Sequence, residues 1–227
     1  MWLRYRSILA KYDINGQLVK EYPLRNKYGR TTISGFCESR NHEIIISVWN
    51  GRVYHLDKEK DEFVPYPDKM RRQNPTVMVQ DNEQDYFWLA TWGDGVVRFD
   101  PSAPEDSMFV YSEIPVNAAG EEDGVILSLA QDDKLGYIWL TTGHDFMSLQ
   151  RQPDKTLKQL KFQTGLLPVN HMLVEVLKGR GCLWVSAFDR PSFIVHLMDN
   201  MTKDYALPAL ADRVNRSPAV MALCDDG

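Results

Sequence analysis

The chain has 227 residues, 44% of them hydrophobic, 25% charged and 11% aromatic, with a formal net charge of −5. This is the composition of an ordinary soluble globular domain, and it carries no overall basic footprint for nucleic acid. No apolar run approaches the ~18 residues of a membrane span, and MWLRYRSILAKYD at the N-terminus lacks the apolar core of a secretory signal.

The first extended segment is WLRYRSILAKYD (2–13), two short apolar runs about a turn, followed by LVKEYPL (18–24). Next come TISGFCES (32–39), IIISVWNGRVYHLD (44–57) and EFVPYP (62–67). The same order returns in TVMVQDNE (76–83), FWLATWGDGVVRFD (87–100) and MFVYSEI (108–114). It returns again in VILSLAQDD (125–133), IWLTTGHDFMSLQR (138–151) and LKQLKF (157–162). A further round reads MLVEVLKG (172–179), LWVSAFDRPSFIVHLM (183–198) and KDYALP (203–208), and AVMALCDD (219–226) closes the chain. The anchors Trp2, Ile45, Trp88, Trp139 and Trp184 recur at intervals of 43, 43, 51 and 45 residues. Each period thus reads as four strands, A to D, with the tryptophan opening B, and no segment has helical periodicity.

Four short antiparallel strands repeated every ~40–50 residues predict an all-β fold, a β-propeller of about five four-stranded blades. The expected blades are 219–227 with 1–24, then 32–67, 76–114, 125–162 and 172–208 of one domain. Strand A of the last blade would come from the C-terminus and strands B to D from the N-terminus, which removes open sheet edges. The alternative is a five-repeat slice of a longer array. Cys37, Cys182 and Cys224 lie in apolar runs without CxxC spacing and read as buried free thiols.

ILSLAQDDKLGYIWLTT and FWLATWGDGVVRFD resemble the two-component regulator propeller repeat, and the resemblance runs blade by blade over nearly the whole chain. It implies the sensor region of a bacterial hybrid two-component system, periplasmic or otherwise extracytoplasmic. It also implies oligosaccharide breakdown products as ligands and a signalling domain or second chain as partner. The family carries further repeats, a sandwich domain, a membrane helix and a kinase, so this chain would supply the sensing part.

In a four-strand blade the B–C turns and D–A connections emerge on one face and the A–B and C–D turns on the other. Acidic runs such as DNEQD (81–85) and DKEKDEF (57–63) fall on the second face, while arginines and aromatics collect on the first. Arginine forks beside aromatic platforms suit a carboxylate or sulfate on a flat sugar ring. The candidate ligand-binding residues are therefore Arg4, Arg6, Trp49, Arg71, Arg72, Trp92, Asp94, His144, Asp145, Asp189 and Arg190.

Asp94, Asp145 and Asp189 occupy near-equivalent B–C positions and, with His144, are the candidates for an alternative glycoside-hydrolase reading of the five-bladed type. Asp and Gly are favoured in such turns for backbone reasons alone, so no enzyme is expected. The five histidines lack HExxH or any paired spacing, and neither metal nor cofactor is expected. His55 reads as solvent-facing on strand C. Trp88, Trp139 and Trp184 read as inter-blade packing, with Thr91 and Thr142 satisfying local hydrogen bonds. A second alternative is a protein-interaction scaffold using LLPVNHM (166–172) and LPALADRV (207–214).

Overall fold

The structure is a computed structural model. It describes residues 1–26, 29–49, 52–67, 74–117, 119–132, 136–142, 145–160, 172–177, 182–187, 192–196 and 201–205. Strands β1 (Trp2–Tyr5), β2 (Ile8–Tyr12) and β3 (Leu18–Pro23) form a three-stranded sheet. A two-stranded ribbon of β4 (Arg25–Asn26) and β5 (Gly29–Arg30) follows. The second sheet holds β6 (Ile33–Glu38), β7 (Ile44–Val48), β8 (Val53–Asp57) and β9 (Glu62–Pro65). The third holds β10 (Pro75–Gln80), β11 (Phe87–Thr91), β12 (Val96–Phe99) and β13 (Phe109–Tyr111). The fourth holds β14 (Ile126–Gln131), β15 (Tyr137–Thr142), β16 (Phe146–Arg151) and β17 (Leu157–Leu160). The fifth holds β18 (Met172–Leu177), β19 (Cys182–Ala187), β20 (Ser192–His196) and β21 (Met201–Tyr205).

Each sheet is a meander in which every strand pairs with its sequence neighbours, so the expected A-to-D order holds four times and B-to-D once. The first sheet's expected fourth strand, 219–226, lies outside the described residues, as does Cys224.

Burial explains the residue types. Although β1 of the first sheet is mostly exposed, strand B of the second and third sheets is covered on both faces: β7 (IIISV) and β11 (FWLAT) are buried at every position. Both therefore read as continuous apolar runs rather than alternating ones. Strand D lies at the outer edge, and in β3 and β9 it is mostly exposed or half-buried.

Strand A of two sheets carries the same irregularity, while the register of the fifth sheet is unbroken. The A–B register shifts between Ile33 and Gly35 in the second sheet and between Ile126 and Ser128 in the fourth, a bulge at the same place in both.

The chain divides into two compact units, Met1–Leu89 with Val97–Val110, and Ala90–Val96 with Tyr111–Gly227. In the first, Leu9, Leu24, Ile33, Ile44, Ile46 and Val48 form a core against which Trp2, Tyr54, Leu56 and Phe63 pack. Strand β6 lies beside β10, and a Cβ on Gly35 would stand 3.2 Å from the Met78 amide nitrogen, so glycine permits this close approach. His55 packs on Tyr66 with ring centroids 4.7 Å apart, and Tyr66 packs on Phe99 at 5.0 Å. His55 is thus an aromatic packing residue rather than a solvent-facing one, because Tyr66 folds back over strand C. Cys182 is buried as expected, whereas Cys37 is only half-buried, and its partial burial pushes its thiol pKa up.

Recurrent carboxylates hold the turns. Asp13 accepts the amides of Asn15 and Gln17, Asp57 those of Glu59 and Lys60, Asp100 that of Ser102, and Asp154 that of Thr156. These are side-chain-capped turns after strand C, where Asp substitutes for a backbone acceptor. Much of the acidic character of that face therefore has a local structural cause.

Candidate ligand face at the B–C turns

In the second unit the WGDG turn begins from Thr91, which is buried. The Asp94 amide donates to Thr91 Oγ1 at 3.0 Å, and the Thr91 amide and hydroxyl donate to the Gly95 carbonyl at 3.0 and 2.8 Å. Gly93 and Gly95 have φ of 123° and 68°, in the region that favours glycine. In the next blade Thr142 repeats the device: the Asp145 amide donates to its Oγ1 at 2.9 Å, and its own amide donates to the Asp145 carbonyl at 2.8 Å. The equivalence of Asp94 and Asp145 is therefore geometric as well as sequential. Both are half-buried at the head of strand C.

The WGDG turn is also clamped from outside. The amides of Gly93 and Gly95 donate to the Gly124 carbonyl at 2.9 and 3.1 Å, and Trp92 bridges to Val125. Gly124–Val125 leads into strand A of the following blade, so the turn is pinned to a D–A connection. Trp92 remains 46% exposed beside it.

The first unit gathers three of the expected residues around Thr31–Ser34. The Arg4 guanidinium donates to the Ser34 carbonyl, which belongs to the residue skipped by the bulge. The Arg6 carbonyl accepts the Ile33 amide at 2.9 Å, the Trp49 amide donates to Thr32 at 2.8 Å, and Thr31 Oγ1 donates to Trp49 at 2.7 Å. Arg4 sits within β1 rather than in the turn, and its guanidinium is engaged. Arg6 takes φ of 50° in the tight turn after β1 and lies 5.6 Å over the ring of Tyr5, which is 66% exposed. Arg71, Arg72, His144, Asp189 and Arg190 lie outside the described residues.

Sequence reasoning placed Asp81 among surface charges, but it is fully buried, as is Asp132. Each accepts the indole N–H of the tryptophan seven residues later, Trp88 and Trp139, at 2.8 Å. Asp81 also accepts the Glu83 and Gln84 amides, and Asp132 that of Tyr137. The signal was present in the repeat. Where Ile45 replaces the tryptophan, Ser39 replaces the aspartate and caps the same turn through the Glu43 amide at 3.0 Å.

No family model matches the chain, and no curated protein matches it in sequence. The extracellular domain of a hybrid two-component system from B. thetaiotaomicron is similar in structure, with a TM-score of 0.65 at 15% identity over 90% of this chain and 28% of that one. PorZ, a surface component of the type IX secretion system of Porphyromonas gingivalis, gives 0.71 at 11% identity over 91% and 32%. A virginiamycin B lyase from Staphylococcus aureus gives 0.66 at 15% identity over 90% and 65%. The first two likenesses span less than a third of those longer chains. At such identities they show the fold: a repeated, propeller-like array of antiparallel blades, the architecture the sensor-repeat resemblance implies. Among the described residues no helix is long and apolar enough to cross a membrane.

Proposed function

We propose that the chain is a non-enzymatic binding module, a five-bladed propeller that senses a small polar or anionic ligand such as an oligosaccharide. Binding falls to the B–C and D–A face, in an extracytoplasmic compartment, and the signal passes to an attached domain or a second chain. The observation that carries this reading is Trp92, an exposed indole on a turn held by Thr91 and Gly124. A rigid aromatic platform binds a sugar ring without the ordering cost of a mobile loop. Tyr5 beneath Arg6 offers a similar pair in the first unit. Structural likeness to an extracellular domain of a hybrid two-component system supports sensing.

Calorimetry against tetragalacturonate and cellotetraose tests it. Binding of at least one is expected, weakened about tenfold, or 1.4 kcal/mol, by Trp92→Ala. Equal affinities in the parent and the Trp92→Ala chain would sink the ligand-face assignment.

A second reading, as an enzyme, draws on the virginiamycin B lyase, of which the chain spans 65%. Cleavage of either tetrasaccharide, seen by mass spectrometry and abolished by Asp94→Asn with Asp145→Asn, would favour that reading over sensing.

A further inference from the structure

An open cavity of about 280 Å³ lies in the first unit, among the turns at the ends of the strands away from the B–C turns. Its position follows from strand register. Trp2 pairs with Lys11, and Lys11 with Lys20, so one cross-strand row spans β1, β2 and β3. Cross-strand partners share a face of the sheet, and this row faces the A–B and C–D turns of the second sheet.

The charges along the cavity differ in how closely they are paired. Lys20 is committed to Asp61, whose carboxylate it meets at 2.5 Å, and Tyr22 donates its hydroxyl to the same carboxylate at 2.7 Å. These two partners hold the Asp61 carboxyl below its usual range, so its charge is already matched inside the protein. Glu38 meets His42 Nδ1 at 2.7 Å across the A–B turn.

Among the described residues Lys11 makes no short ion pair, although its charge acts on the Asp61 carboxylate, and its ammonium lies 5.7 Å from the centroid of the Trp2 ring. Lys58 is an exposed residue of the same wall. Behind these groups stand Ile44, buried in the core, and Leu56, packed against it. Two turn residues on the wall, His42 and Asp61, have φ of 57° and 53°, a conformation that non-glycine residues adopt at a cost. Backbone strain of this kind concentrates at functional sites.

An indole wall, an apolar floor, two ammonium groups outside any short ion pair and a His–Glu pair able to bond hydroxyls suit a ring with one apolar face and one carboxylate. We infer that this cavity is a second ligand site, for a hexuronate-sized sugar acid, distinct from the B–C turns. Its volume is at the small end of the roughly 300–1,000 Å³ usual for ligand pockets, which limits it to about one sugar ring. Lys11 and Lys58 take the carboxylate, Trp2 stacks on the ring, and Glu38 with His42 meets the hydroxyls.

The test uses glucuronate, glucose and benzoate, with binding followed by calorimetry and by the tryptophan indole N–H resonances. Glucuronate is expected to bind at least tenfold more tightly than glucose or benzoate and to shift the Trp2 signal. Lys11→Ala with Lys58→Ala is expected to weaken it at least tenfold, while Lys58→Arg retains it. Both lysines are exposed, and an unchanged melting curve shows that the double variant folds. No binding of glucuronate up to about 20 mM overturns the site. So does binding that the double variant leaves intact. Binding that moves Trp92 instead of Trp2 overturns this site while leaving the proposed B–C face standing.

Discussion

Replacing Asp81 or Asp132 by alanine is expected to cost about 3 kcal/mol each, read as a shift in the urea midpoint with little change in slope. Each carboxylate is fully buried and accepts both an indole N–H and turn amides. Removing it strands a buried tryptophan donor, at about 1–3 kcal/mol, and uncaps the A–B turn. Ser39 beside Ile45 shows how the fold tolerates the loss: the ring and its acceptor disappear together, and the turn cap is kept. In the third sheet Asp81→Ser with Trp88→Ile recreates that combination. The double variant should therefore be less destabilised than the sum of the singles, beyond the about 0.5 kcal/mol that independent sites allow. Strict additivity would mean that the indole and carboxylate are not a coupled pair.

Gly124→Ala is the second large effect. Its Cβ would stand 2.4 Å from the Gly93 carbonyl oxygen, a backbone atom that cannot swing aside as a side chain does. The Gly124 carbonyl is also the acceptor for both Gly93 and Gly95. Relief requires the WGDG turn to leave the D–A segment, which breaks those two hydrogen bonds at about 1 kcal/mol each and adds the strain of the displaced turn. A loss of at least about 2 kcal/mol is expected, with a change in the environment of Trp92 visible in its indole resonance. Gly35→Ala is the measured contrast and should cost less, because its Cβ would stand 3.0 Å from the Ser47 hydroxyl and 3.2 Å from the Met78 amide nitrogen, contacts that shifts of a few tenths of an ångström relieve. A Gly124→Ala chain as stable as the parent, with Trp92 unmoved, would mean that the turn is not clamped by this segment.

The strands were legible in the sequence because strand B of the second, third and fourth sheets shares one burial pattern. FWLAT and IIISV are covered on both faces, and such strands announce themselves as short apolar runs between turn residues. The equivalence of Asp94 and Asp145 was legible too, since each follows its threonine by three residues.

What sequence could not supply was the direction of side chains at the strand ends. DNEQD reads as a charged loop, yet its first residue turns inward to an indole seven positions away while the others remain outside. Arg4 looks like a turn residue next to Arg6, but strand register places it in β1 beside a bulge whose freed carbonyl it takes. The cavity beside Trp2 was invisible for the same reason. It arises from the cross-strand pair of Trp2 and Lys11, faced by two turns of the neighbouring sheet that lie far away in sequence.

The most direct measurement of the B–C face as the ligand surface is hydroxyl-radical footprinting with mass spectrometry, with and without tetragalacturonate at saturating concentration. Tyr5 and Trp92 are exposed in the free chain and reactive side chains of this kind report their own coverage. Protection of Trp92, with or without Tyr5, while the exposed Leu18 and Val19 of the outer strand stay reactive, is the predicted result. Binding that leaves both Trp92 and Tyr5 as reactive as in the free chain would contradict it.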